Sequence, residues 1–202
     1  MLDFELDESD FKIRCYTNVK WINEKFKHRQ LKFVAECKDS DICIVDRNYE
    51  FTEEDSKSNL KINVDELSGR VDAFVSQDHI EAYLDMIEKC ESEDYGVGMA
   101  DFNDIKAVTN GSLIEYIKIN LNSDDEVECI EQFKKSFKPA EFDVGVILFV
   151  SIKNLNSLSN LSNVLEGIYP NMEAVIMTPD RRVSHMDNYV EVFVFKKHNF
   201  EN

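Results

Sequence analysis

The sequence predicts an α/β protein: a reduced Rossmann-like unit, a central helix, then a mixed four-stranded sheet covered by helices. Three observations carry this reading. Short runs rich in β-branched residues alternate with segments of helical period along the whole of the 202 residues. The runs ICIV (42–45) and FDVGVILFVSI (142–152) read as strands buried under helices, the second apolar on both faces. Between the two sets of strands lies one long amphipathic pattern, SQDHIEAYLDMIEKCESED (76–94).

The first set begins with FKIRCY (11–16) and LKFVAEC (31–37) as strands, joined by a helix around VKWINEKFKH (19–28). DICIV (41–45) is a short buried strand, and LKINV (60–64) and VDAFV (71–75) are two more. The polar stretch NYEFTEEDSKSN between them reads as an exposed loop, with a basic partner as the minority use of its acidic run. Trp21, at the start of the first helix, is expected in the core.

The long pattern places Ile80, Tyr83, Leu84 and Ile87 on one stripe, and Ser76 offers an N-cap. After it, DFNDIKAV begins a short helix that Asn110-Gly111 stops. SLIEYIKINLN (112–122) alternates as a half-buried strand does. DDEVECIEQFKKSF (124–137) carries Val127, Ile130, Phe133 and Phe137 on a helical stripe, with acidic residues opening it and lysines closing it. FDVGVILFVSI (142–152) is the central strand, and LNSLSNLSNVLEGIYP (155–170) is a helix with Leu155, Leu158, Leu161, Leu165 and Ile168 along one face. MEAVIM (172–177) and YVEVFVF (189–195) end the chain as two strands, with Asp180-Arg181-Arg182 in the connection of a hairpin.

Composition narrows the function classes. A net charge of −17 disfavours nucleic acid and anionic membranes, which need clustered cations, and favours basic protein surfaces. No apolar run approaches the ~18 residues of a membrane-spanning helix, and the acidic opening MLDFELDESD is unlike a targeting signal, so a cytoplasmic location is expected. Cys15, Cys37, Cys43, Cys90 and Cys129 form no C-x-x-C and have no ligand-spaced histidine, which predicts reduced thiols rather than disulfides or zinc. His28, His79, His185 and His198 are scattered and suit surface or packing roles.

The stretch GVGMADFNDIKAV (96–108) is the most informative. Two glycines loosen the chain, and Asp101 and Asp104 bracket Phe102 at a helix start. As a plain helix start, Asp101 is the N-cap and Asp104 occupies N3, a pairing worth ~1 kcal/mol. Asp101, Phe102 and Asp104 also match the D-F-x-D of a loop found in FtsZ, the bacterial relative of tubulin. With the order of elements that follows, the chain resembles that family, well over 76–202 and weakly over the first 75 residues. The resemblance implies three parts: 1–75 as a shortened nucleotide-domain remnant, 76–95 as the connecting helix, and 96–202 as an FtsZ-like C-terminal domain.

In that family the loop reaches the nucleotide of the next subunit and helps position the attacking water. The resemblance therefore implies a partner-facing, synergy-loop-like surface at Gly98, Met99, Asp101, Phe102 and Asp104. Met99 stands where the family has Asn, which removes one polar contact to a neighbour's nucleotide. A nucleotide site of its own is not expected. Phosphate cradles need glycine so that backbone N–H groups can approach closely, and the first of only six glycines is at position 69. No metal, no cofactor and no intrinsic catalytic residue is expected, and at most an in-trans contribution to a partner's GTPase site.

Three function classes follow. The first is a non-catalytic, pseudo-GTPase FtsZ-like protein of the cytoskeleton, acting in cell division, that caps or modulates filaments through its loop face. The second is a module of the same fold for an unrelated protein partner, possible as a homo-oligomer. A GTPase with its own nucleotide site ranks last.

Overall fold

The computed structural model describes residues 13–26, 31–57, 60–65, 71–91, 102–138, 143–152, 174–179 and 188–197, with positions 161, 163 and 167. The chain divides into two compact units, Met1–Ile80 with the last three residues, and Glu81–Asn199.

The first unit contains five parallel strands: β1 (Arg14–Thr17), β2 (Lys32–Phe33), β3 (Ile42–Val45), β4 (Leu60–Asn63) and β5 (Ala73–Val75). They lie side by side in the order β2-β1-β3-β4-β5. All four residues of β3 are buried, which is why ICIV has no polar face. Helix α1 (Lys20–Lys25) buries Ile22, and Phe26 just beyond it is fully buried too. On β3, Ile42 and Ile44 alternate with Cys43 and Val45. Cys43 and Val45 pack with Cys37 beneath Tyr16, Tyr49 and Phe51. The Tyr49 ring meets Tyr16 at 5.7 Å and Phe51 edge-on at 5.0 Å, which draws the front of the acidic loop down onto the sheet. Asp55 is buried and takes hydrogen bonds from the N–H and hydroxyl of Thr52, at 2.7 and 2.9 Å.

Four expectations change here. The run 31–37 pairs only through Lys32 and Phe33, and Cys37–Asp39 forms a 3-10 turn. A second such turn occupies Glu54–Lys57 within the expected loop. Cys37 and Cys43 are joined in a disulfide with Cα atoms 5.5 Å apart, whereas Cys15, Cys90 and Cys129 are not in disulfides. The 3-10 turn folds Cys37 back beside β3, a contact that spacing alone does not announce. Trp21 is 37% exposed rather than in the core, because Ile22 takes the inward position of α1.

The second unit holds α2 (Ile80–Glu91) from its second residue on, α3 (Phe102–Thr109), β6 (Ser112–Leu121), α4 (Glu126–Ser136), β7 (Asp143–Ser151), β8 (Ala174–Pro179) and β9 (Asn188–Lys197). Helix α2 starts at Ile80, after a turn in which the Ser76 carbonyl accepts from the His79 and Ile80 N–H groups. Ser76 thus lies a full turn before the helix instead of capping it. Gly111 follows α3 at φ +76°, the left-handed conformation in which glycine ends helices without strain.

The four strands run in the order β6-β9-β7-β8. β9 is antiparallel to both β6 and β7, and β7 is parallel to β8. β8 and β9 are therefore not a hairpin, because β7 lies between them. The expected connection at 180–182 and most of the expected helix at 155–170 lie outside the described residues. Positions 161, 163 and 167 of the latter are helical, and Leu161 is fully buried. One face of this sheet presents Ile119, Leu121, Val146, Leu148, Val190 and Val192 to Cys129, Ile130, Phe133 and Phe137. Asp125 caps α4 by accepting the Glu128 N–H at 3.0 Å. Val127, expected on the buried stripe, is 69% exposed, and Cys129 takes its place. The other face carries Tyr116, Phe149, Phe193 and Glu191, with Phe149 and Phe193 edge to face at 6.1 Å.

Candidate functional site

Of the residues singled out in the sequence, Gly98, Met99 and Asp101 lie outside the described residues. Phe102 and Asp104 are the first and third residues of α3, the first half-buried and the second exposed. The helix is held from behind. Ile105 and Thr109 are fully buried, and the Thr109 hydroxyl meets the Tyr83 hydroxyl of α2 at 3.1 Å. At the far end the Ser112 hydroxyl donates to the Val108 carbonyl at 2.9 Å. Asp104 is thus exposed on a helix whose opposite side is anchored by Ile105 and Thr109.

A second site, not foreseen, lies at the carboxyl ends of the parallel strands. The chain passes from β1 to β2 on one side and has β3 on the other, so strand order reverses between β1 and β3. Open α/β sheets place their ligand crevices at that position. Here the residues just past three strand ends meet: Asn18 after β1, Asp46 after β3, and Val64 and Asp65 after β4. With Gln77 and the first turns of α1 they line a crevice of about 510 Å³.

The crevice is held by side chains gripping loops. Asn18 Nδ2 donates to Asp46 Oδ1 at 2.9 Å, and the Asp46 N–H returns a bond to Asn18 Oδ1 at 3.0 Å. Asp46 Oδ1 also accepts the Asn48 N–H at 2.9 Å, an Asx turn. Asp65 accepts from the Arg47 N–H at 3.3 Å and from the Gln77 amide. The Thr17 hydroxyl accepts the Val19 N–H at 3.0 Å and starts the turn into α1. Glu24, Asp46 and Asp65 face a single cation, Lys20, so the lining is net anionic, three carboxylates against one ammonium. Lys20 and Glu24 are 3.8 Å apart and largely solvated, a spacing that contributes little. Asn18 and the run DRNYEF are legible in the sequence as the segments after two strands. What pointed further was that Asn18, Asp46 and Asp65 each follow a strand end by one or two residues.

A third polar cluster lies on the second unit's sheet. Glu191 of β9 pairs with Lys89 of α2 and accepts the Tyr116 hydroxyl at 2.9 Å, with Lys118 3.9 Å away. Lys89 also sits 4.7 Å above the Phe149 ring, and Lys118 4.1 Å above that of Tyr189. Burial, and then the Glu191 charge, push the Tyr116 hydroxyl well above its ordinary pKa. These groups engage one another, so the cluster reads as a structural tie between α2 and the sheet. Among the described residues no group of three or more His, Cys, Asp or Glu is arranged to hold a metal ion. None of their helices is long and apolar enough to cross a membrane.

No family model matches the chain, and no curated protein matches it. Solved structures do. The fold is similar to that of a point mutant of FtsZ from M. jannaschii, at 14% sequence identity and a TM-score of 0.40, over 78% of this chain and 56% of that one. It is also similar to CetZ from Methanosaeta thermophila, at 12% identity and a TM-score of 0.44, over 88% and 67% of the two chains. The chain thus spans little more than half the length of that FtsZ, as 56% coverage gives. FtsZ, the family the sequence resembles, is among the structures this fold is similar to.

Proposed function

We propose that this chain is a non-catalytic FtsZ/tubulin-like protein that binds filament subunits in the cytoplasm and caps or modulates them, without holding a guanine nucleotide of its own. The observation that carries the reading is the charge of the crevice at the strand ends. A nucleotide there brings a polyphosphate against Glu24, Asp46 and Asp65, whose like charges repel it. Glycine would let backbone N–H groups approach phosphates, and none occurs before position 69. Asp46 and Asp65 already accept the N–H groups of Asn48 and Arg47, donors that a phosphate loop would point at its ligand.

The binding face in this reading is the stretch ahead of α3, with Gly98, Met99 and Asp101, continued by Phe102 and the exposed Asp104. A subunit that offers one face of a head-to-tail contact, and lacks a working second face, ends a filament rather than extending it. The test is to mix the protein, below stoichiometric ratio, with full-length FtsZ of the same organism, and to follow GTP hydrolysis and polymer light scattering together. A change at low ratio, lost in the Asp101→Ala/Asp104→Ala variant while the fold is retained, is the expected result. No change even at excess overturns the filament reading.

A further inference from the structure

We propose that the crevice at the strand ends receives an arginine side chain presented by a protein partner. The inference rests on the preceding reading only in its premise that the crevice is not a nucleotide site, and it concerns a different surface from the α3 face.

Three features of the crevice point to this occupant. Its charge is net negative, three carboxylates against one ammonium that is itself largely solvated. Both hydrogen bonds that Asp46 accepts from Asn18 and the Asn48 N–H land on Oδ1, and among the described residues nothing occupies Oδ2. The rim carries Trp21, the chain's one tryptophan, a residue that remains 37% exposed on the first turn of α1. A carboxylate edge beside an indole is what a cationic side chain recognises, by charge-assisted hydrogen bonds and by contact with the ring face. Arginine suits it better than lysine, because a planar guanidinium stacks on the ring, forks toward carboxylates and is weakly hydrated. The volume of about 510 Å³ exceeds one side chain and leaves room for the backbone that carries it. The excess of acidic residues over the whole chain, net −17, steers basic partner surfaces toward it.

Because Trp21 is the sole tryptophan, its fluorescence reads the rim directly. The full chain is titrated with acetyl-glycyl-arginyl-glycine amide, with the same peptide carrying citrulline, and with GTP and magnesium. The expected result is a saturable shift of Trp21 emission with the arginine peptide, weakened by salt and absent with the neutral citrulline isostere. Asp46→Asn, which keeps the Oδ1 acceptor and removes the charge, is expected to weaken binding about tenfold, the scale of one charge-assisted hydrogen bond. If that variant fails to fold, Glu24→Gln on the exposed face of α1 replaces it, with weakening again the expected result. An arginine peptide without saturable effect, or a citrulline peptide equally effective, overturns the inference and leaves the proposed function standing. Saturable binding of GTP overturns both.

Discussion

Asn18 and Asp46 exchange two hydrogen bonds across the point where strand order reverses, amide to carboxylate at 2.9 Å and backbone N–H to amide oxygen at 3.0 Å. They close the gap between the loops after β1 and β3, so the crevice has a side-chain floor rather than a backbone cradle. Asn18→Ala removes one partner of both bonds and leaves the Asp46 N–H without its acceptor. The expected cost is about 1–2 kcal/mol, read as a lower midpoint in urea denaturation. An unchanged midpoint means that the clasp contributes nothing to the fold.

The disulfide gives a second expectation. Cys37 and Cys43 are six residues apart in sequence, so the closed loop is short and the entropy it removes from the unfolded chain is modest. Reduction is expected to cost roughly 2 kcal/mol, measured as the shift in denaturation midpoint with and without reductant. Cys37→Ser/Cys43→Ser should reproduce the reduced form and make the midpoint insensitive to reductant. A midpoint that still responds to reductant in that variant rejects the assignment.

Cys15 is fully buried on β1, and burial pushes its thiol up to about 12. Its folded-state pKa is raised above the ordinary 9.0, so the folded chain keeps a proton that the unfolded chain loses. That contribution to stability is intact below about 9 and is lost as pH rises toward about 12. Two results are expected: Cys15 resists alkylation in the folded protein at pH near 8, and Cys15→Ala flattens the fall in stability above pH 9. Rapid alkylation under native conditions would contradict the burial.

Helix α4 separates two neighbours that a stripe argument treats alike. Val127 is 69% exposed and Phe133 fully buried, although both lie on the expected apolar stripe. Phe133→Ala is expected to cost about 3–5 kcal/mol through the cavity it leaves. Val127→Ala should stay within about 0.5 kcal/mol, as surface changes do. Comparable losses for the two variants would mean that something covers Val127.

Much of this architecture was legible because local patterns dominate it. The apolar runs ICIV and GVILFV became strands buried on both faces, and Gly111 ended α3 in the left-handed conformation that only its missing Cβ makes easy. What escaped depends on contacts between distant residues. MEAVIM and YVEVFVF are adjacent strands in sequence, yet β9 pairs with β6 and β7, a choice set by sheet-wide register rather than by the connection. The Cys37–Cys43 pair needs a 3-10 turn that no periodicity marks. Trp21 was expected inside because tryptophan is bulky and apolar, but a two-turn helix has one inward position and Ile22 holds it. Of the expected loop face, the sequence located Phe102 and Asp104 at the start of a helix, and both stand there.

The pairing of Glu191 with Lys89 yields the last expectation. Both side chains are nearly buried, 13% and 11% exposed, and Glu191 also accepts from the Tyr116 hydroxyl. A charge in such a place is tolerated only with its partner, because desolvation is not recovered from solvent. Glu191→Gln keeps the shape and an acceptor for Tyr116, but removes the carboxylate that pairs with the Lys89 ammonium above the Phe149 ring. The loss is expected to be on the order of 3 kcal/mol. Lys89→Met with Glu191→Gln removes both charges and should recover much of that loss, since a neutral pair needs no compensation. A double variant no better than the single one would show that the carboxylate acts through Tyr116 rather than through Lys89.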